Sequence, residues 1–544
     1  MNIASHLTQM AKVQPYKRAV VSPSGRDEDG RVAYSQLTFR QLDMESDCLA
    51  HGLNSIGITR GTRTVLMVPP SLNFFTLTFA LFKTGAIPVV VDPGMGIPRM
   101  LSCLKCSKPE AFIGISKAHA FRMLHPSCFR SVRICVTVGS RWFWGGHALK
   151  NLRLTPWQPF PTAPTQKDET AAILFTTGST GPAKGAVYTH GNFDAQIRHI
   201  QSHFQISGDE IDLPTFPLFA LFDPALGMTA IIPDMDPTQP AKVDPEQIIE
   251  AIINQGVTNM FASPALLDRV GSFGKQSEIK LPSLKRVVSA GAPVSPANID
   301  QFSHMLCDNA EIHTPYGATE AVPILSISSR EILSETRQLS EKGYGICVGR
   351  PIDDLQVRII KITDAPIARW SDELVLPPTE VGEIVVKGDL VTLNYFENLE
   401  ADSLAKIRDG KEFWHRMGDL AWADTNGRVW FCGRKSHRVQ TSSGTLYTIP
   451  CEAIFNNHPD VLRSALVGVG KPPKQKPVII VQPREEGTSY ENELKRELLN
   501  MASNNLLIKD IDTILFHPDF PVDIRHNAKI HREYLAEWAE KKLR

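Results

Sequence analysis

The stretch Thr176-Thr-Gly-Ser-Thr-Gly-Pro-Ala-Lys184-Gly185 directly follows an apolar run, Ala171-Ala-Ile-Leu-Phe175, with the composition of a buried strand. Its glycines allow backbone N–H groups to approach an anion closely, and its hydroxyl side chains add hydrogen-bond donors. Lys184 adds a positive charge suited to a phosphate. The spacing G-x-x-x-x-G-K-[ST] of a Walker A loop is absent from the sequence. The stretch therefore predicts a polyphosphate cradle of another type, although its composition alone fits a flexible surface loop equally well.

Length, composition and charge set the broad class of protein. A chain of 544 residues exceeds a single hydrophobic core, so two or more units are expected. Its 58 basic residues balance 58 acidic ones, which argues against bulk electrostatic binding to nucleic acid. No apolar run approaches the roughly 20 residues that span a bilayer, and the N-terminus lacks the pattern of a secretory signal. We expect a cytoplasmic protein that is not integral to a membrane.

The nine cysteines do not predict a disulfide framework, because their number is odd and their spacing irregular. Cys103-Leu-Lys-Cys106 is the only C-x-x-C motif, and no second pair has zinc-ribbon spacing. We expect two thiols on a helix there, without a metal or redox role.

The apolar pattern alternates between strands and helices. A strand over 63–69, a helix over 74–82 that Gly85 ends, and a strand over 86–91 form a βαβ unit, which predicts a parallel sheet. The alternation continues with a helix over 245–254, strands over 257–262 and 285–290, and a helix over 297–306.

Shorter strands and turns begin near residue 380, and a compact α+β tail follows Gly433-Arg434. The sequence predicts an α/β fold with a large N-terminal domain of parallel βαβ sheets, residues 1–435. A small mobile α+β domain, residues 436–544, completes the predicted chain.

A second motif, Tyr316-Gly-Ala-Thr-Glu320, combines an aromatic ring with oxygen ligands. Because glycine leaves a face of the neighbouring ring open, Tyr316 can stack on a flat base. Thr319 and Glu320 offer a hydroxyl and a carboxylate, which suit magnesium on a nucleotide phosphate. Five such residues on their own more often form an ordinary turn.

A glycine-containing turn, Ser289-Ala-Gly-Ala-Pro-Val-Ser295, follows a predicted strand over 284–288. Turns at the carboxyl ends of parallel strands are common ligand sites in α/β sheets. A plain strand-to-helix turn is the alternative interpretation.

Together, the segment 176–185 and the Y-G-A-T-E motif resemble the adenylate-forming superfamily, which includes acyl-CoA synthetases, luciferases and nonribosomal-peptide adenylation domains. The resemblance extends over nearly the whole chain and implies ATP and Mg²⁺ as cofactors, with Glu320 as the metal ligand. It implies phosphate binding by Thr176, Thr177, Gly178, Ser179, Thr180, Gly181 and Lys184. It implies nucleotide binding by Gly291, Ala292, Pro293, Tyr316, Gly317, Thr319, Asp419 and Arg434.

Two further segments match the family near its ribose site and its domain hinge. Trp414-His-Arg-Met-Gly-Asp419 resembles the T-G-D segment, whose aspartate accepts hydrogen bonds from both ribose hydroxyls. Phe431-Cys-Gly-Arg434 resembles the G-R at the hinge. The hinge residue two positions later is usually Asp or Lys in the family, and here it is Ser436. The hinge is therefore atypical, although a small residue can absorb the backbone rotation.

The tail Pro521-Val-Asp-Ile-Arg-His-Asn-Ala-Lys529 resembles the family's C-terminal P-x-x-x-x-G-K motif, with a longer spacing and Ala528 in place of glycine. The resemblance implies that Lys529 is the catalytic lysine, which reaches the reacting carboxylate and the α-phosphate. A lone lysine in a basic tail would otherwise be a solvated charge.

Three departures from the family concern the step after adenylation. Ala220 stands where many acyl-CoA synthetases have a histidine, and Thr441-Ser-Ser-Gly444 replaces the Gly-Gly pair beside the pantetheine. The altered tail is the third departure. Bulkier residues along a narrow tunnel should hinder entry of a thiol, so plain ligation to CoA is not the expected reaction.

These departures most resemble the β-lactone synthetases of bacterial long-chain olefin biosynthesis, a branch of the same superfamily. That resemblance implies a long-chain 2-alkyl-3-hydroxy acid as substrate, which is activated as an acyl-adenylate with release of pyrophosphate. The β-hydroxyl then displaces AMP and closes a four-membered lactone, and the proximity of the two groups helps to offset the ring strain.

Several points stay open in the sequence. The alternatives are a medium- or long-chain fatty acyl-CoA synthetase and an inactive adenylate-binding regulatory protein. Assembly with other olefin-biosynthesis enzymes is undecided. His526 is a candidate base for the β-hydroxyl, but a loop histidine without that role is the simpler interpretation. The apolar run 213–222 either lines an acyl pocket or belongs to the core.

Overall fold

The fold is seen in a computed structural model that describes residues 1–153, 155–175, 184–485, 487–522 and 529–544, apart from the side chains of residues 488 and 489. In chain order, the strands are Arg18–Arg26 (β1), Val32–Thr38 (β2), Arg63–Met67 (β3), Ile87–Val91 (β4), Ala111–Ile115 (β5), Ile134–Val138 (β6), His147–Ala148 (β7), Thr170–Phe175 (β8), Gly185–Thr189 (β9), Ile211–Pro214 (β10), Thr229–Ile231 (β11), Asn259–Ala262 (β12), Arg286–Ser289 (β13), Glu311–His313 (β14), Tyr316–Ala318 (β15), Ala321–Ser326 (β16), Ile346–Pro351 (β17), Gln356–Ile360 (β18), Gly382–Lys387 (β19), Lys406–Asp409 (β20), Glu412–Ala423 (β21), Val429–Arg434 (β22), Val439–Gln440 (β23), Thr445–Leu446 (β24), Val461–Val469 (β25), Lys476–Pro483 (β26) and Thr513–Phe516 (β27).

The helices alternate with these strands over most of the chain. They are Ser5–Val13 (α1), Phe39–Ser55 (α2), Leu72–Thr84 (α3), Ile97–Ser107 (α4), Ser116–Leu124 (α5), His190–His203 (α6), Asp223–Leu226 (α7), Pro245–Gln255 (α8), Pro264–Gln276 (α9), Pro296–Ser303 (α10), Ser329–Glu331 (α11), Arg337–Leu339 (α12), Leu399–Ala405 (α13), Thr448–Asn456 (α14), Thr488–Ser503 (α15) and Arg532–Leu543 (α16). Among the described helices, none has the length and apolar character needed to cross a bilayer.

Two seven-stranded sheets form the larger part of the molecule. Sheet A has the order β14-β13-β12-β10-β11-β1-β2, and sheet B has the order β7-β6-β5-β3-β4-β8-β9. Both are parallel except at the β1–β2 and β8–β9 edges. Strands β3 and β4 are parallel neighbours joined by α3, so the predicted βαβ unit is confirmed.

A third, antiparallel sheet and a smaller C-terminal unit complete the fold. Sheet C has the order β15-β16-β17-β22-β21-β19-β18, with β20 paired to β21. Strands β25, β26 and β27 form a separate three-stranded sheet against α14, α15 and α16. The predicted α/β class, with a large N-terminal and a smaller C-terminal unit, is confirmed. The predicted boundary at 435/436 falls in the turn after β22 and stays a prediction.

Helix α3 shows how local sequence determines the core. The Ser71 hydroxyl caps its first turn by accepting from the Phe74 N–H, and Gly85 ends it at φ 72°. Every residue from position 74 to 84 is buried, as expected for a helix that is apolar on all sides. Lys83 is buried with them, and its ammonium pairs with Asp43 at 2.7 Å and Asp47 at 2.6 Å, which compensates the buried charge.

The predicted pair of thiols on a helix is found at Cys103 and Cys106. All nine cysteines are free thiols, and they all lie in described residues. Cys103 and Cys106 both belong to α4, but Cys103 is buried against Met95 while Cys106 is exposed.

Candidate active site

A cavity of about 520 Å³ lies at the carboxyl ends of strands from sheets A and B, opposite sheet C. Its wall includes Asp92 after β4, Thr215 after β10, Ser263 after β12 and Gly291 after β13. Sheet C contributes residues of β15, β19, β21 and β22. Carboxyl ends of parallel strands are where α/β folds bind ligands, so this cavity is the candidate active site.

One part of the cavity, called here the polar wall, carries charged side chains from distant parts of the sequence. They are Lys184, Glu320, Arg434, Lys435 and Lys529. Four of these five are predicted site residues, and the fold brings them to one cavity. The predicted phosphate-binding residues 176–181 and the candidate base His526 lie outside the described residues.

Another part of the same cavity, called here the apolar wall, is lined by hydrophobic side chains. Its phenylalanines are Phe74, Phe79, Phe82, Phe193, Phe216, Phe219, Phe222 and Phe261. Phe82, Phe193 and Phe222 contact one another in series, with centroid separations of 6.0 Å between Phe82 and Phe193 and 6.2 Å between Phe193 and Phe222. Six of the ten positions in the run 213–222 line the cavity, whereas Leu213 and Ala220 are buried in the core. Most of this run therefore lines the cavity, and its role as an acyl pocket stays a prediction.

Tyr316, Asp419 and Arg434 form a connected group beside the polar wall. The Tyr316 hydroxyl donates to Asp419 Oδ2 at 2.5 Å, and Asp419 Oδ1 lies 3.0 Å from a guanidinium nitrogen of Arg434. Register fixes this contact, because Asp419 and Arg434 are directly paired on β21 and β22. Burial raises the pKa of Asp419, and the nearby Arg434 acts in the opposite direction. Within the described chain, Asp419 Oδ1 receives no hydrogen bond, so it keeps acceptor capacity for a ligand hydroxyl.

Glu320 is held by a tyrosine that the motifs do not include. The Tyr395 hydroxyl donates to Glu320 Oε1 at 2.6 Å. Two ammonium groups lie over the ring of Tyr395, with Lys184 Nζ 5.2 Å and Lys406 Nζ 5.9 Å from its centroid. Burial lowers the pKa of Lys406 to about 8, although Glu320 and Asp402 act in the opposite direction. Both cation–π contacts are favourable, and they hold the side chains of Lys184 and Lys406 near Glu320.

His415 on β21 is a further group of the cavity wall. Burial, and then the charges of Lys406 and Lys184, hold its pKa well below the usual value, so the ring is neutral. Its Nδ1 has no hydrogen-bond partner in the described part of the chain. The sequence motifs do not identify Tyr395, Lys406 and His415 as site residues, because their proximity depends on strand pairing. Lys406, for example, lies opposite His415 in the β20–β21 register.

The two glycine-containing turns differ in their backbone demands. Gly291 has φ 97°, a conformation that favours glycine, and it lines the cavity. A Cβ on Gly317 would lie 2.6 Å from the Ala321 carbonyl oxygen, so only glycine fits there. Thr319 also lines the cavity, whereas Ala292, Pro293, Tyr316 and Asp419 lie next to lining residues rather than on the surface itself.

Ion pairs with Glu383 hold the segment that leads into the C-terminal part, at Lys435. Lys435 Nζ lies 3.0 Å from Glu383 Oε1, and a guanidinium nitrogen of Arg416 lies 2.6 Å from Glu383 Oε2. Glu383 and Arg416 are both buried, so this cluster is well shielded from solvent. The exposed Ser436 follows directly and lines the cavity.

Lys529 reaches the cavity from a short bridge in the tail. Val522 and Ile530 form an antiparallel β-bridge. Arg532, three residues after Lys529, donates to both carboxylate oxygens of Glu452 at 2.8 and 2.6 Å. These contacts fix the base from which the half-buried Lys529 extends.

The chain matches known proteins over nearly its whole length. The family model of the AMP-binding enzymes matches residues 7–396. The olefin beta-lactone synthetase of Stenotrophomonas maltophilia (strain K279a) is 47% identical over 100% of this chain and 98% of its own length. The protein of that name from Xanthomonas campestris pv. campestris is 46% identical over 99% of this chain and 97% of its own.

A solved structure shares the fold at much lower identity. O-succinylbenzoate coenzyme A synthetase from Bacillus subtilis, in complex with ATP and magnesium ion, superposes with a TM-score of 0.75. The alignment covers 97% of this chain and 98% of that one, at 20% sequence identity. The predicted resemblance to adenylate-forming enzymes is therefore confirmed, and the chain belongs to the AMP-binding enzyme family.

Proposed function

We propose that this enzyme converts a long-chain 2-alkyl-3-hydroxy acid into a β-lactone, using ATP and releasing AMP and pyrophosphate. One observation carries the proposal: a single cavity joins the polar wall, in which four of the five charged side chains are cations, to the apolar wall of aromatic side chains. The cationic part suits the carboxylate and the nucleotide phosphates, and the aromatic part suits the alkyl chains. The 46–47% identity to olefin beta-lactone synthetases over nearly the full length supports this substrate class.

In the adenylation step, the acid's carboxylate oxygen attacks the α-phosphorus of ATP and pyrophosphate leaves. Negative charge develops between the carboxylate and the phosphate, and Lys529 and Lys184 supply cations in the same cavity. Asp419 would accept from the ribose hydroxyls through its oxygen Oδ1, with Arg434 balancing its charge. Tyr316, Gly291 and their neighbours would enclose the adenine.

In the second step, the β-hydroxyl oxygen of the acid attacks the acyl carbon, the carbon–AMP bond breaks and the hydroxyl proton is released. Both reacting groups belong to one molecule, so the enzyme has only to hold the rotamer that brings them together. The apolar wall restricts both alkyl chains and excludes water, which would otherwise hydrolyse the adenylate.

Glu320 fits a magnesium ion. Its carboxylate lies on the polar wall beside Lys184 and has a hard oxygen that the Tyr395 hydroxyl orients at 2.6 Å. When bound, the ion supplies charge neutralisation at the phosphates of ATP. We expect Glu320→Gln to shift the Mg²⁺ titration of activity to higher concentration. A titration that overlays that of the parent would exclude Glu320 as a ligand.

The turn that replaces the family's Gly-Gly pair supports a reaction without a thiol. The Thr441 N–H donates to the Gly444 carbonyl at 2.8 Å, and the Gly444 N–H donates back to the Thr441 hydroxyl at 3.2 Å. The Ser443 hydroxyl adds a bond to Asp510 at 3.1 Å. A turn closed by these bonds, with side chains at three of four positions, leaves less room beside the backbone than a glycine pair.

Product analysis tests the proposal directly. The enzyme is incubated with ATP, Mg²⁺ and a 2-alkyl-3-hydroxy acid, with and without CoA, and the products are identified by mass spectrometry. We expect a β-lactone and AMP in both reactions. The 3-deoxy analogue should be adenylated and then stall. A CoA-dependent thioester would instead identify an acyl-CoA synthetase, and the absence of ATP–pyrophosphate exchange would identify a regulatory protein.

A further inference from the structure

The charges of the chain balance overall but not locally. Residues 111–167 contain eight lysines and arginines and not one aspartate or glutamate, although the chain as a whole carries 58 of each sign. This segment forms β5, α5, β6 and β7 at one edge of sheet B and continues towards β8. The charged side chains that this segment contributes to the edge of sheet B are therefore all cationic.

Most of these cations are available to a partner. In the described ranges of the chain, no carboxylate lies within ion-pair distance of the following exposed residues of the segment, which are Lys117, Arg130, Arg133, Arg141 and Lys150. By contrast, Arg153 is paired with Glu45, outside the segment. The Arg141 guanidinium donates to the Gly146 carbonyl within the same loop, but its charge has no carboxylate partner among the described residues.

An aromatic loop, residues 139–146 between β6 and β7, projects from this basic edge. The side chain of Trp142 is 62% exposed and that of Phe143 is 83% exposed. Trp144 anchors the loop, because its ring stacks on the buried His119 at 5.4 Å and its Nε1–H donates to the Thr137 hydroxyl at 3.0 Å. The anchored loop thus holds two large apolar rings in water. Exposed apolar groups of this kind mark surfaces that interact with a partner.

Cations flank the aromatic loop on both sides. Arg141 directly precedes Trp142 in the sequence. The Ser116 hydroxyl donates to the Ser140 carbonyl at 2.6 Å, which places the exposed Lys117, at the start of α5, beside the base of the loop. Exposed rings with adjacent Lys and Arg side chains are the pattern of a surface that enters the headgroup region of a membrane.

The aromatic loop also shares an edge with the candidate active site. It follows the carboxyl end of β6, and strands β6, β5, β3 and β4 are consecutive parallel neighbours. Asp92 of the cavity wall follows the carboxyl end of β4. With strands about 4.8 Å apart, the loop lies about 14 Å along the same edge.

We propose that the aromatic loop, with Lys117 and Arg141, docks this enzyme on the surface of an anionic lipid bilayer. Trp142 and Phe143 would enter the headgroup region while the cations contact lipid phosphates. A bilayer is favoured over a nucleic acid because the rings project from the tip of a loop instead of lining a groove. Neither the charge asymmetry nor the exposure of the rings depends on the reaction that the enzyme catalyses.

Vesicle flotation tests the proposal with the full-length protein. Vesicles of phosphatidylcholine alone are compared with equimolar phosphatidylcholine and phosphatidylglycerol. We expect binding only to the anionic vesicles, weakened by added salt. The double variant Trp142→Ser/Phe143→Ser and the double variant Lys117→Gln/Arg141→Gln should each lower the partition coefficient about tenfold or more. All four side chains are exposed, so the variants should fold.

Matched controls come from exposed positions elsewhere. Leu399→Ser/Leu506→Ser removes two apolar side chains that are 84% and 85% exposed, and Lys541→Gln/Lys542→Gln removes two exposed tail charges. Both controls should float like the parent. Equal binding to the two vesicle types, no binding to either, or equal losses in the controls would each overturn the proposal. Turnover of a short-chain acid in detergent-free buffer should be unchanged in every variant, which separates docking from catalysis.

Discussion

The polar and apolar walls of the cavity are built in different ways. The charged members of the polar wall come from four short stretches of sequence, with Arg434 and Lys435 adjacent in one of them. The apolar wall is built by whole elements, chiefly α3, α6 and the run 213–222, whose residues also form the core. The residues proposed for the reaction thus lie in short stretches of sequence, whereas the residues that shape the substrate pocket are distributed over several elements. Substitutions on the two walls should therefore have separable effects.

The largest expected effect is on the polar wall at Lys529. Lys529→Ala should lower the adenylation rate about a hundredfold or more, because it removes a cation from the place where charge develops in the transition state. ATP affinity should change little. Pre-steady-state pyrophosphate release measures the step, and a synthetic acyl-adenylate should bypass most of the defect.

The control for Lys529 is Lys541→Ala, which removes another lysine of the C-terminal unit from the exposed end of α16. It should adenylate like the parent. If Lys529→Ala also keeps the parent rate, another group activates the carboxylate, and Lys529 is only a charge at the cavity wall.

A smaller loss is expected at Lys184, also on the polar wall. Lys184→Ala removes one charge-assisted phosphate contact, which corresponds to about 1.5–3 kcal/mol in kcat/KM for ATP. The KM for the acid should be unaffected, since the apolar wall is intact. Lys167→Ala, at an exposed position before β8, is the control. Parent-like ATP kinetics in a folded Lys184 variant would remove this residue from the phosphate site.

On the apolar wall, Phe222→Ala should weaken binding of a long-chain acid by about 1–2 kcal/mol and leave a short-chain acid nearly unchanged. The KM for ATP should stay at the parent value. Phe273→Ala, which removes a partly buried ring from a different core cluster, controls for general loosening of the fold. Equal losses for long and short acids would show that the apolar wall does not measure chain length.

The smallest effect concerns Lys406, which stands behind the polar wall. Its pKa is about 8 in the folded chain, against an ordinary value of 10.5, so between these values the unfolded chain binds more protons. Lys406 therefore adds stability as pH rises through that window. In urea unfolding from pH 8 to pH 10.5, the parent should gain stability relative to Lys406→Met. Parallel stability curves would show that the lysine titrates normally.

The sequence predicts the parts of this structure whose determinants are close together along the chain. Helix α3 is one example, because its cap at Ser71, its apolar run and its end at Gly85 are contiguous. The approach of Lys184, Glu320, Arg434 and Lys529 to one cavity is another, because each carries a recognisable motif. Their individual roles stay predictions until the substitutions are made.

The remaining features depend on pairing between distant segments. Tyr395 reaches Glu320 across 75 positions of sequence, and Lys406 meets His415 only through strand register. The sequence of α3 predicts a helix but not which of its phenylalanines face a cavity, since all of them are equally apolar. No local pattern encodes such contacts, and the three-dimensional fold is needed to find them.

The charge cluster at Lys435 also has a mechanical consequence. The Glu383 carboxylate holds Lys435 at 3.0 Å and Arg416 at 2.6 Å, on the rigid strand β19. The predicted hinge residue, Ser436, directly follows this cluster. Rotation about the backbone of Ser436 would move the residues that follow it, including the tail with Lys529. The strands that face the proposed nucleotide site would stay in place. Glu383 would thus hold the segment before Ser436 in place. Its removal would loosen the movement of the C-terminal part without touching the reacting atoms.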